Sequence, residues 1–166
     1  MSKKTLKLMM AAAFVAGAFG AIALSIAWAT APKGLTTTLL AGPVTLADID
    51  IESETSGWSA EIQTQGNSDT YVAQIHIAPG GDTGWHSHPG PVFVLITAGT
   101  ASLYFADDPT FTPEVYTAGT GFVEAGGDVH ILRNEGDTDL IVVAFFLVPQ
   151  GSPRRIDEPA PPGAPF

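Results

Sequence analysis

Cysteine is absent from this chain, which excludes a disulfide framework, a thiolate metal site and a cysteine nucleophile. Basic residues are scarce: from Thr30 onward only Lys33, Arg133, Arg154 and Arg155 stand against seventeen Asp and Glu, a formal charge of −13. A body this acidic repels a phosphate backbone, so nucleic acid is ruled out as a partner. Beyond Thr30 no stretch keeps a helical apolar period for three turns. The serines have no neighbouring histidine in a strand-turn-helix setting, so a hydrolase elbow is missing. Pro79-Gly80-Gly81 and Ala125-Gly126-Gly127 read as β-turns, and no glycine loop leads into a phosphate-binding helix.

Acidic residues are also missing before Asp48, whereas Lys3, Lys4 and Lys7 crowd the N-terminus. The run from Leu8 to Ala29 carries no charge and no polar face, and Ala27-Trp28-Ala29 has the small-x-small pattern of a signal-peptidase site. Residues 1–29 therefore read as a signal peptide cut after Ala29, or as an uncleaved membrane anchor, since the run is long enough to span a bilayer. Either way the remainder lies outside the cytoplasm, exported to the periplasm or beyond or anchored facing outward. Membrane contact is expected through this segment alone.

What is present after Thr30 is β-sequence. Short runs rich in β-branched and aromatic residues alternate with turn residues, and the spacing predicts strands at Thr36–Leu40, Trp58–Thr64, Tyr71–Ala78, Val92–Ala98, Ala101–Phe105, Gly121–Val123, Val129–Arg133 and Leu140–Val148. At 166 residues the size favours one domain: a barrel over residues 30–148, followed by a tail over 149–166. That tail holds six of the thirteen prolines and two glycines, which predicts a surface wrap or a partly mobile end and no sheet pairing.

Four histidines occur, three of them in a telling pattern. His86 and His88 flank one residue, so on an extended strand both imidazoles leave the same face with Cα atoms roughly 6.6 Å apart. His130 must come from another strand. Imidazole nitrogen suits one divalent transition metal, namely zinc, iron, manganese, nickel or copper, and is a poor trap for magnesium or calcium. Three such ligands leave a position open to water or a small-molecule substrate. The alternative is that His86 and His88 are exposed loop residues and His130 is satisfied by a carbonyl.

The spacing of these residues resembles the cupin superfamily, in the manner of its small single-domain exported members. Gly80, five residues, His86-Ser87-His88, three residues, Val92, six residues and Gly99 reproduce the first cupin motif, except that Val92 stands where the family has Glu. Gly119, Ala125 in place of Pro, Gly127, His130 and Asn134 reproduce the second. The likeness covers residues 71–148. It implies an all-β fold, a single jelly-roll-like barrel, and a homodimer. Because the family hosts enzymes and binding modules alike, it names a fold before a reaction.

Val92 shares strand parity with His86 and His88, so its side chain should point into the barrel. A site without the carboxylate would keep the full +2 of a divalent ion and attract small anions. Compensation could come from Glu124, Asp128 or Glu61, but Glu124 and Asp128 flank the Ala125-Gly126-Gly127 turn and read as solvated turn residues. Gln74 and His76 share one face of their strand, and Tyr71, Ala73, Ile75 and Ile77 the other. If the Ile face packs outward, Gln74 and His76 line the substrate pocket beside Val92; if it packs inward, they face solvent. Trp85, Phe93, Tyr104 and Phe122 read as barrel packing, and Arg133 as a surface charge. Two functions follow: a metal-dependent enzyme, dioxygenase-like or other, acting on a small organic molecule, or a non-catalytic module that binds a small ligand or metal.

Overall fold

The computed structural model describes residues 29–166, so the signal-peptide or anchor segment, apart from Ala29, lies outside the described residues. Among the described residues there are twelve strands and no helix. The strongest alternation lies in β6 (Val92–Ala98), where Val92, Val94 and Ile96 are buried and Phe93, Leu95 and Thr97 are exposed. Its neighbour β11 (Leu140–Pro149) buries Leu140, Val142, Ala144, Phe146 and Val148 in the same way. A period of two with one apolar face is what a barrel wall requires.

One wall is built on β4 (Ser68–Asp82), a 15-residue strand that pairs antiparallel with β1 (Lys33–Leu46) on one side and with β11 on the other. Beyond β11 come β6 and then β9 (Gly121–Glu124). The opposing wall runs from β8 (Glu114–Thr117) through β7 (Thr100–Phe105) and β10 (His130–Arg133) to β5 (His86–Ser87) and β12 (Ile156–Asp157). The walls join where β10 meets the end of β4 at Arg133 and Asp82, which leaves the barrel nearly closed. Between them the apolar residues of β4, β6, β7, β10 and β11 make one core.

Three sequence expectations are corrected. The Ile face of β4 packs inward: Ala73 and Ile77 are fully buried, since two large aliphatics outcompete a histidine and a glutamine for the core. Gln74 and His76 consequently lie on the outer face, and His76 is 41% exposed, with Nε2 3.0 Å from Asp139 Oδ2. Phe93 is no packing residue but is 42% exposed on the outer face of β6. The proline-rich tail does pair in a sheet, because β12 lies antiparallel to β5, with Ile156 opposite Ser87 and Asp157 opposite His86.

The tail then seals a second, smaller core on the outside of the short wall. Trp85, Tyr104 and Ile131 are buried there against Phe111 and Ala164. The Phe166 ring stacks on Trp85 with centroids 6.2 Å apart and meets Tyr104 at 4.8 Å. Arg133 holds that ring from the other side, its guanidinium carbon 4.0 Å from the centroid, so this arginine pins the tail and is no idle surface charge. Apart from the barrel, β2 (Asp50–Thr55) and β3 (Trp58–Gln63) form an exposed hairpin of their own.

Candidate metal centre

Parity brings the three histidines together. On β10, His130 has the same parity as the inward Leu132, and in the ladder it stands opposite His86 on β5. His88, two residues further on, projects to the same side as His86. A backbone bond from Gly127 N to His88 O, 2.8 Å, ties the turn before β10 to the chain leaving β5. Close glycine contact makes this turn: a Cβ on Gly126 would meet Gly90 at 3.1 Å, and one on Gly90 would meet the Leu147 carbonyl at 2.3 Å. All three imidazoles are buried, their ring centroids lie 4.4, 4.8 and 5.3 Å apart, and one ligand nitrogen from each falls within 4.8 Å of the others. Exposed loop histidines are thus not what the fold makes of them.

Each ring has one nitrogen committed. Nδ1 of His86 donates to the Gly84 carbonyl at 3.0 Å, Nδ1 of His88 to the Arg154 carbonyl at 2.6 Å, and Nδ1 of His130 to the Asp128 carbonyl at 2.8 Å. A carbonyl only accepts, so the proton sits on Nδ1 and each Nε2 is left with a lone pair. Carbonyls in this role orient metal-binding imidazoles and raise their basicity. The Arg154 carbonyl belongs to the tail, whose part in the site gave no sequence signal.

Glu124, expected as a solvated turn residue, is 6% exposed. Its Oε1 lies 3.0 Å from His130 Nε2 and its Oε2 3.3 Å from His88 Nε2. A parity signal existed, since Phe122 and Glu124 share one face of β9 and Phe122 packs on the core. Asp128 and Glu61 are exposed, as the sequence suggested for Asp128. Nε2 of His130 is buried beside a carboxylate oxygen without a well-directed hydrogen bond. Such a juxtaposition calls for a cation, either a second proton on the imidazole or a metal ion.

The electrostatics follow. Burial opposes ionisation of Glu124, but the bonds and charge it shares with His130 and His88 outweigh burial and hold its pKa down to about 2. Burial likewise opposes protonation of His130, and Glu124 outweighs it, raising that imidazole above 6.5. His86 moves the other way: burial, reinforced by His130, Arg155 and His88, pushes it well below 6.5.

Beside the imidazoles lies a cavity of about 40 Å³ walled by Val92, Ile75, Val94, Val142, Ala144 and Phe146 and reaching His86, His88 and Glu124. Val92, 1% exposed, points inward as its parity predicts. Neither Gln74 nor His76 lines this cavity, so of the expected pocket residues only Val92 does. A larger apolar groove, about 660 Å³, runs between the β2–β3 hairpin and the outer face near Phe93 and Phe145 and reaches none of the histidines.

The cupin domain family model matches residues 73–153. No curated protein sequence matches the chain. Among solved structures, an oxalate oxidase in complex with the substrate analogue glycolate is 22% identical, with 76% of this chain and 56% of that one covered at a TM-score of 0.50. Peruvianin-I, a cysteine peptidase from Thevetia peruviana latex, is also 22% identical, over 76% and 68% at 0.50. A cupin domain from Bordetella pertussis Tohama I is 20% identical over 69% and 94%, at 0.48. At such identities the likeness is one of fold. The barrel, both motifs and the family match agree, and the chain belongs to the cupin superfamily.

Proposed function

We propose that this chain is a metal-binding cupin that works outside the cytoplasm and holds one divalent transition-metal ion through Nε2 of His86, His88 and His130. The observation that carries the reading is the committed state of the rings: three buried imidazoles converge with every Nδ1 bonded to a carbonyl. The orphaned Nε2 of His130 fits the same group. Bound there, such an ion would supply Lewis acidity and an exchangeable coordination position. The chain itself orients the three nitrogens, buries them from bulk water and presents an apolar wall to the incoming ligand.

Cavity size limits that ligand. A space needs roughly 10–15 Å³ to admit one water, so about 40 Å³ suits a ligand of two or three heavy atoms. We read the centre as serving dioxygen-sized or other small-ligand chemistry, the enzymatic alternative for a larger organic molecule requiring the cavity walls to open. A non-catalytic module is the second reading, favoured by the burial of all three imidazoles and by the bond that ties His88 to the Arg154 carbonyl of the tail.

Elemental analysis of untagged protein beginning at Thr30 tests the proposal. It should carry about one transition-metal ion per chain, and His86→Ala, His88→Ala and His130→Ala should each lose it. Metal-free wild type at neutral pH would refute the proposal. Turnover with a redox-active metal would favour the enzyme, and zinc with a tightly held ligand the module.

A further inference from the structure

The carboxylate missing at position 92 is present one strand away. Val92 and Glu124 are register partners in the antiparallel β6–β9 ladder, and directly opposed residues project to the same side of a sheet with Cβ atoms roughly 4.5–5.5 Å apart. The inward direction of Val92 therefore forces the same direction on Glu124, which arrives between His88 and His130. No Lys or Arg pairs with this buried carboxylate among the described residues; its ionic partners are those two histidines. A buried carboxylate is costly unless a positive charge faces it, so its place here asks for a cation among the histidines, a proton or a metal ion.

Glu124 spans two of the three imidazoles: Oε1 lies 3.0 Å from His130 Nε2 and Oε2 3.3 Å from His88 Nε2, which sets the carboxylate at the edge of the nitrogen cluster of His86, His88 and His130.

We propose that Glu124 is the carboxylate ligand of this centre, carried on β9 in place of the residue that the first cupin motif puts at position 92. The inference rests on the metal-binding reading above and specifies its fourth donor. It lowers by one the charge expected from Val92. A divalent ion with three neutral imidazoles and one carboxylate has a net charge of +1, so the site does not act as a strong anion trap. The exchange also changes the side from which the ion is approached. The family's carboxylate position becomes an apolar isopropyl wall of the cavity, and the negative charge sits next to His130.

Cobalt binding to the protein beginning at Thr30, followed by visible absorption and by competition with a chelator, reads the ligand directly. Glu124→Gln keeps the size of the side chain and removes its charge; it should weaken cobalt affinity at least 10-fold and alter the spectrum. The exchange variant Val92→Glu with Glu124→Val moves the carboxylate back across the ladder and should recover most of the affinity. That recovery also answers the objection that Glu124→Gln merely disturbs folding. Wild type and Glu124→Gln binding cobalt with equal affinity and equal spectra would overturn the role of Glu124 and leave the three-histidine centre standing. Wild type that takes up no cobalt would remove both.

Discussion

His86 and His130 face each other across one ladder step, yet their surroundings pull them in opposite directions, and the metal-free protein should report this in its stability. His86 stays neutral when folded, its pKa well below 6.5 through burial and its charged neighbours. Below pH 6.5 the unfolded chain binds a proton there that the folded chain refuses, so this residue makes stability fall as pH falls. The pKa of His130 is raised by Glu124 against the opposing effect of burial. Its contribution is fully present below 6.5 and lost as pH rises through the raised value. The melting temperature of metal-free protein should therefore peak near pH 6.5. Scanning calorimetry from pH 5 to 8 checks it: His86→Gln should flatten the acid side and His130→Gln the alkaline side. A curve that rises monotonically through this range would contradict the assignment. Of these residues the histidines were legible in the sequence, because spacing alone puts His86 and His88 on one face. Glu124 was legible only as one of three candidate carboxylates and read as a solvated turn residue, since its neighbouring glycines advertised a turn and its ladder partner is set by the tertiary register.

At the scale of elements, each of the eight strands expected from the sequence is present, because alternation is a local property that a buried barrel wall enforces. The missed elements have other causes. β2 is acidic and poor in strand formers and exists by pairing with β3 across the turn at Gly57, whose φ is +83°. β5 and β12 are two residues each, too short for any pattern; β5 is a strand through its pairing with β10 and β12, and β12 through its pairing with β5. That pairing makes the tail part of the candidate metal centre: β12 pairs with β5, and the Arg154 carbonyl orients His88. Loss of such a supporting bond typically costs 10–100-fold in metal affinity. Removing residues 151–166 should produce a loss of that order in chelator competition and shift Trp85 emission to the red as Phe166 leaves its face. Phe166→Ala should shift the emission and change affinity less, since the Arg154 bond survives. Equal metal affinity with and without the tail would show that the tail only covers the site. Trp85→Ala, which empties the small core, should destabilise by about 3–5 kcal/mol.

At the scale of the whole molecule, Thr30 ties the N-terminal end of the described residues to the tail and to the strand that carries His86. The buried Trp85 backbone N–H donates to Thr30 Oγ1 at 2.5 Å, and Thr30 N donates to the Glu158 carbonyl at 3.1 Å. Among the described residues, Ala29 makes a further bridge with Pro159. Cleavage after Ala29 would keep both Thr30 bonds, and the new α-ammonium group could still donate to Glu158 while adding positive charge to an acidic body. Protein starting at Thr30 should therefore melt within about 1 °C of protein starting at Ala27, whereas a start at Ala31 strands the Trp85 N–H in the interior, a loss of about 1–3 kcal/mol. Intact-mass measurement on protein from the native compartment should give a chain beginning at Thr30. A full-length chain in the soluble cytoplasmic fraction would refute export, and equal stability for the Thr30 and Ala31 starts would show that Thr30 is not part of the structural boundary.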